Sequence, residues 1–167
     1  MKKIITLIIT VIILPSVGDI LGIGLFAQSY SGGNGMIADP YHIANKADLK
    51  YLSETPTDWN KHFIQTANIY FTAADFAIGG NFHNGGEGFI PIGNNSIQFT
   101  GTYNGQEHVI DSLIINRVSS DNIGFFGHVT GYINPIGIKN LGITNIQVNG
   151  YVSVGSLVGG MANSTII

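Results

Sequence analysis

The five histidines of this 167-residue chain are its first candidates for binding a metal or carrying a proton. None stands in the His-x-x-x-His or His-Glu-x-x-His spacing that places two zinc ligands on one face of a helix. His83 and Glu87 are four residues apart, but the glycine pair between them disfavours a helix. We therefore expect no metal site and no bound cofactor. We expect His108 and His128 to hydrogen-bond to neighbouring backbone groups at turns.

Ten carboxylates are the candidates for acid-base catalysis. A glycoside hydrolase needs two of them on either side of one bond, about 5 to 10 Å apart. Glu107 and Asp111 are the best pair, since they belong to one turn and the strand that follows it. Four residues along a strand span about 13 Å, however, which is too far. We expect solvated surface acids, no catalytic residues and no enzyme activity.

Aromatic side chains offer a different chemistry, the stacking of sugar rings. Seven tyrosines and one tryptophan are available, and Tyr132 and Tyr151 lie beside loops where they could share a face. Aromatic residues contribute mainly through the area that they bury, so packing is the expected role for most of them. The glycine-rich segment 85–88 lacks the Lys and Ser/Thr of a phosphate-binding loop.

The composition favours a β-rich fold. Gly, Ile and Asn supply 23, 27 and 16 residues, and only 10% of the chain is charged, against about 25% in a typical soluble protein. Few charged residues argue against a helical bundle, and the many β-branched residues argue against disorder. A net charge of -3 argues against nucleic-acid binding. The absence of cysteine excludes disulfides.

The N-terminus is typical of a secretory signal. Lys2 and Lys3 precede an apolar run over 4–14, and Pro15 follows it. We expect residues 1–27 to be the signal peptide, with cleavage after Ala27. Cleavage after Gly18, or an uncleaved anchor over 4–27, are the alternatives. The sequence thus predicts a secreted or cell-surface protein that meets the membrane only through this segment.

Residues 28–88 are predicted to form a linker followed by a cap region. Residues 28–36 are polar and glycine-rich, which predicts a flexible linker. Residues 37–88 form the predicted N-terminal cap region, with a strand at 40–43, a helix at 45–54, a strand at 63–71 and a loop at 79–88. Asn45 is the expected N-cap of the helix, and Pro56 ends it.

From residue 89 onward the sequence repeats. Residues 110–116 align with 138–144 at an offset of 28, and 123–127 align with 154–159 at an offset of about 31. A unit of this length predicts a right-handed parallel β-helix, an all-β solenoid whose inward Ile and Leu stack in ladders while outward Asn and Thr hydrogen-bond along the stack. A β-sandwich is the alternative, although few Asn-Gly hairpin turns support it.

These residues resemble a known family, the bacterial secreted proteins that carry the GLUG motif. The central residues of this motif occur twice in the sequence. The structural motif residues are Gly124, Phe125, Phe126, Gly127, Gly155, Leu157, Val158 and Gly159. Segments 39–52, 63–69, 91–93, 99–105 and 108–110 follow the family's order, so the resemblance covers about 37–167. Phe89 replaces a frequent Trp, and Glu107 replaces a Gly of the turn before His108.

The resemblance implies a non-catalytic, adhesin-like surface protein that presents a repetitive surface to a protein or glycan partner. An accessory region of a larger secreted peptidase or carbohydrate-active enzyme is the alternative. We expect Gly124 and Gly155 to lie at corners or close backbone approaches. We also expect the solenoid over 89–167 to be incomplete, with the helix capping one end and nothing after Met161 capping the other. End-to-end self-association would follow.

Overall fold

The computed structural model describes residues 29–131 and 137–162, and within them the fold is mainly β. Eleven short strands and two helices lie in these ranges, joined by 3₁₀ turns at Pro56–Asp58 and Asn84–Gly86. The strands are β1 (Tyr41–Ile43), β2 (His62–Gln65), β3 (Ile69–Tyr70), β4 (Thr102–Asn104), β5 (Val109–Asp111), β6 (Ile114–Asn116), β7 (Phe126–Thr130), β8 (Ile138–Lys139), β9 (Gly142–Thr144), β10 (Gln147–Asn149) and β11 (Val158–Ala162), and the helices are α1 (Lys46–Glu54) and α2 (Ala73–Phe76).

The strands form four small sheets, in the orders β1-β2-β4-β8, β3-β5-β9, β10-β6 and β11-β7. Every ladder between these strands is parallel. Partners are far apart in sequence, since Phe63 pairs with Tyr103 and Tyr103 with Ile138. Strands that follow one another along the chain from β4 onward therefore lie in different sheets.

The register agrees with one of the two repeat alignments and contradicts the other. Ile123 pairs with Val154 and Phe126 with Val158, as the second alignment predicts. The first alignment is wrong, because Ile110 pairs with Ile143, 33 residues later rather than 28. Residues 110–116 and 138–144 each contain two short apolar strands around a turn, so they look alike although they belong to different pairs of sheets.

Helix α1 begins as the sequence predicts. The Asn45 side chain accepts hydrogen bonds from the backbone N–H groups of Ala47 and Asp48, at 2.8 and 3.1 Å. The buried Asp48 carboxylate accepts from the backbone N–H of Ala44 and from the Ser31 hydroxyl. Asp48 thereby ties the start of the helix to the segment before β1.

Three other elements differ from the expectations. The predicted strand at 63–71 is two strands, β2 and β3, which lie in different sheets. Helix α2 was not expected; it starts at a capping box in which Thr72 and Asp75 bond each other. The described part of the expected linker packs against the fold, since Tyr30 is buried and donates to Asp58.

The core is one cluster of buried aliphatic and aromatic side chains. One row of rings runs through Phe82, Phe89 and Phe125, with centroids 6.2 and 5.5 Å apart. Phe89 is fully buried in this row. Phe63, Phe99 and Phe126 form a second row. Aromatic packing of this kind contributes to the stability of the core.

Candidate functional surface

The glycines of the GLUG-like motif lie where backbones of neighbouring strands approach closely. A methyl group on Gly124 would overlap the carbonyl oxygen of Gly155, and one on Gly159 would overlap the backbone nitrogen of Ile123. None of these glycines has a φ in the left-handed region. Close approach, and not an unusual backbone angle, is therefore what requires glycine here. Phe125 and Phe126 between them are fully buried, so this motif acts in packing.

The outward side chains of paired strands include asparagines that bond to each other. Asn140 donates from Nδ2 to Oδ1 of Asn104, and Asn149 donates from Nδ2 to Oδ1 of Asn116, both at 3.2 Å. Each pair consists of neighbours on adjacent parallel strands or at their ends. Hydrogen bonds between asparagines of neighbouring strands, which the sequence predicts, are present at these two positions.

Asp111 is held by three donors on the same exposed side. Its carboxylate accepts from the Thr144 hydroxyl, the Asn145 amide and the Ser112 hydroxyl, at 2.6, 2.7 and 2.8 Å. These hydrogen bonds, the one from Thr144 above all, hold the pKa of Asp111 below its ordinary value. A carboxylate stabilised in its ionised form is a poor general acid. The side chain joins β5 to the end of β9.

Glu107, the other member of the best acid pair, lies in the turn before β5. Its backbone N–H donates to the carbonyl oxygen of Asn140, and its side chain is exposed. Its φ of 62° is in the left-handed region, which favours glycine. Glu107 therefore lies in a strained turn. None of the described hydrogen bonds of Asp111 involves the Glu107 carboxylate.

Four of the five histidines each contact a single neutral group. His108 and His128 lie 3.3 Å from Oδ1 of Asn68 and Asn95, so the expected bonds to backbone are wrong for both. His62 contacts the Thr102 hydroxyl, and His83 contacts the carbonyl oxygen of Phe76. Over residues 29–131 and 137–162, no three His, Cys, Asp or Glu side chains lie close enough together to hold a metal ion. Glu87, near His83, pairs instead with Arg117 at 2.7 Å.

Most of the described aromatic residues serve in packing, as expected. Tyr30, Tyr41 and Tyr51 cluster over Phe63, and the buried Trp59 donates from Nε1 to the carbonyl oxygen of Leu52. Tyr70 and Tyr151 are the exposed exceptions. Tyr132, the proposed stacking partner of Tyr151, lies outside the described residues.

A cavity of about 250 Å³ opens between α1 and the loop after α2. Lys46 in its wall pairs with Asp75 at 2.7 Å, and Lys50 pairs with Glu54. Burial acts to raise the pKa of Asp75, but hydrogen bonds from Lys46 and Thr72 outweigh it and lower that pKa. Because each lysine already has an acidic partner, the cavity offers little uncompensated charge to a ligand.

The described helices are all too short or too polar to cross a membrane. This finding concerns residues 29–131 and 137–162 only.

Two polar contacts between strands were missed from the sequence. Gln65 and Tyr103 are joined by a buried hydrogen bond, and Asp111 bonds to Thr144 and Asn145. A signal for the second was present, because Asp111 and Thr144, like Asn116 and Asn149, are 33 residues apart. An alignment at that offset would have paired them.

The chain is similar to two curated proteins over most of its own length. It is 35% identical over 133 residues to Halomucin from Haloquadratum walsbyi, which covers 79% of this chain and 1% of that protein. It is 35% identical over 137 residues to a putative Gly-rich membrane protein from Evansella cellulosilytica, covering 78% of this chain and 14% of that protein. This chain therefore spans only a small part of either relative. No family model and no solved structure matches it.

Proposed function

We propose that this chain is a non-catalytic module of an exported or surface-associated protein, folded as a right-handed parallel β-helix. The observation that carries the proposal is the set of parallel ladders in which β4, β5, β6 and β7 pair in the same order with β8, β9, β10 and β11. Each strand pairs with its counterpart four strands later in the chain. We call each set of four successive strands a coil. In a β-helix the chain turns once around the core in each coil, so each sheet lies on a different side of that core. Right-handed connections are the norm for parallel strands.

The lateral surface of such a helix suits contact with neutral polar partners. Its asparagine pairs, Asn104–Asn140 and Asn116–Asn149, hold amide groups in fixed positions. Beyond Arg117 only Asp121 and Lys139 are charged. A surface of ordered amides with few charges recognises hydroxyl groups and peptide groups through hydrogen bonds. The module thus presents a repetitive surface to a glycan or protein partner.

The surface location has two supports. The N-terminal residues 1–27 have the charge and hydropathy pattern of an export signal. The names of the relatives, Halomucin and a Gly-rich membrane protein, point to a surface or membrane-associated setting. The GLUG resemblance remains a prediction that agrees with both.

Export can be tested by expressing the full chain in a secreting bacterium and measuring its intact mass in each cell fraction. We expect a product that begins at Gln28, outside the cytoplasm. A matched variant with Ile8→Arg and Ile9→Arg should keep the full mass and stay in the cytoplasm, because charges in the apolar run block export. A wild-type chain that stays cytoplasmic at full mass would contradict the proposed location.

A further inference from the structure

The cavity between α1 and the loop after α2 is built from three short parts of the chain. Lys46 and Lys50 come from α1, Asp75 comes from α2, and Asn81 and Phe82 come from the loop. Its volume of about 250 Å³ lies just below the range of about 300–1,000 Å³ that is typical of small-molecule sites. A ligand that fits it must therefore be small, of the size of one sugar ring.

The loop that carries Asn81 is held against α2 by backbone hydrogen bonds. Gly80 donates to the carbonyl oxygen of Ala77 at 2.8 Å, and Phe82 donates to that of Asp75 at 2.9 Å. A methyl group on Gly80 would overlap the carbonyl oxygen of Asp75, so the close approach of the loop to α2 requires glycine. This wall of the cavity is thus ordered before a ligand binds, which lowers the cost of binding.

Several polar groups of the cavity walls are not used by the fold. Oδ2 of Asp75 accepts from the Lys46 ammonium group at 2.7 Å and from the backbone N–H and hydroxyl of Thr72 at 2.7 and 2.9 Å. Oδ1 of Asp75 accepts no hydrogen bond from the described residues, and the exposed Asn81 amide forms none with them. A carboxylate oxygen and a complete amide are therefore available to a ligand.

The charges around the cavity cancel in pairs. Lys46 pairs with Asp75, and Lys50 pairs with Glu54. A charged ligand would compete for one member of a pair and leave the other without its partner, which costs free energy. Hydroxyl groups can donate to a carboxylate and accept from an ammonium group without separating either pair. The walls therefore favour a neutral ligand that is rich in hydroxyl groups.

We propose that this cavity binds one neutral pyranose ring, as a free monosaccharide or as the end residue of a glycan. One hydroxyl group of the sugar donates to Oδ1 of Asp75, and others exchange hydrogen bonds with the Asn81 amide and the Lys50 ammonium group. The buried Phe82 supplies an apolar part of the wall for the C–H groups of the ring. The site uses none of the paired asparagines of the lateral surface, and it does not depend on the handedness or the location proposed above.

A titration of the purified, ¹⁵N-labelled chain followed by NMR tests this directly. The probes are glucose, galactose, mannose and N-acetylglucosamine, each as the free sugar and as its methyl glycoside. We expect at least one of them to shift the amide signals of Lys50, Asn81 and Phe82, with saturation at millimolar concentration. Equal binding of the methyl glycoside indicates the end residue of a glycan, and binding of the free sugar alone indicates a monosaccharide.

Two variants locate the binding within the cavity. Asn81→Ala and Lys50→Met should each raise the Kd at least about threefold, the usual effect of one lost hydrogen bond. Asn60→Ala is the matched control, because Asn60 is also exposed, makes no side-chain hydrogen bond with the described residues and lies outside the cavity walls. It should leave the Kd unchanged.

The titration of the wild-type chain does not depend on a variant folding, and it can overturn the proposal alone. It would do so if none of the sugars shifted the three amide signals, or if glucuronate, the charged counterpart of glucose, bound more tightly than the neutral sugars. An Asn81→Ala chain that binds sugar as wild type does would also contradict the proposed site.

Discussion

The hydroxyl of Tyr103 donates a hydrogen bond of 3.0 Å to Oε1 of Gln65, and both side chains are fully buried. Gln65 in turn donates from Nε2 to the backbone carbonyls of Ala67 and Val109. One network thus joins β2, β4 and β5 through the core. Among the described residues, no buried side-chain nitrogen or oxygen lacks a hydrogen-bond partner.

Tyr103→Phe removes the donor and leaves Oε1 of Gln65 buried without it. We expect a loss of about 1–3 kcal/mol in the free energy of unfolding, the usual cost of such an unpaired group. Urea denaturation followed by circular dichroism measures it. Tyr151→Phe is the control, because Tyr151 is 73% exposed, and should change the value very little. Equal free energies of unfolding for the two variants would mean that the buried hydrogen bond does not contribute to stability.

The same tyrosine predicts a loss of stability in alkali. Burial, with a smaller contribution from the charge of Asp48, raises the pKa of Tyr103 well above its ordinary value of 10.0. Burial and the neighbouring Asp58 also raise the pKa of Tyr30. The unfolded chain therefore releases these protons first as the pH rises through about 10, and the free energy of unfolding falls from there upward. Tyr103→Phe should make that fall shallower; an identical pH profile in wild type and variant would contradict the assignment.

Gly124 is predicted to tolerate no side chain. A methyl group there overlaps the carbonyl oxygen of Gly155, which lies in the segment before β11, so Gly124→Ala should cost about 1–3 kcal/mol. Gly131→Ala is the matched control, because a methyl group at Gly131 meets no atom of the described residues within 4 Å. Thermal melting of both variants gives the comparison, and similar melting temperatures would show that the close approach is unimportant.

Glu107→Gly should stabilise the protein. Glu107 holds a φ of 62°, which costs a residue with a side chain about 1–2 kcal/mol, while the added flexibility of glycine in the unfolded chain offsets part of the gain. A net increase of about 0.5–1 kcal/mol in unfolding free energy is expected. Glu107→Gln removes the charge and keeps the strain, so it should match wild type. If Glu107→Gln rather than Glu107→Gly raised the free energy of unfolding, charge repulsion at Glu107 and not backbone strain would be the cause.

The elements that depend on local chemistry were predictable from the sequence. Asn45 marks the start of α1 because its side chain bonds to the next turn, and a mainly β fold follows from the composition. The register of the parallel strands was predictable only in part. Ile110 and Ile138 look equivalent in sequence, and only the paths of the turns between strands decide that Ile110 meets Ile143. The Gln65–Tyr103 contact joins residues 38 apart, and nothing local to either residue signals it.

The central claim is that successive coils stack in parallel with a register of 33 residues between Asn116 and Asn149. Engineered cysteines test it cleanly, because the chain has no cysteine of its own. Directly paired residues on neighbouring strands are close enough for a disulfide, whereas a diagonal neighbour about 8 Å away is not. The matched control pairs residue 116 with 147, since Gln147 lies opposite Ile114.

The deciding measurement is therefore the fraction of each double variant that forms an intramolecular disulfide under mild oxidation, read by intact mass and peptide mapping. The account predicts nearly complete linkage for Asn116→Cys with Asn149→Cys and little for Asn116→Cys with Gln147→Cys. Linkage of the control pair in preference to the first pair, or of neither, would contradict the parallel stack.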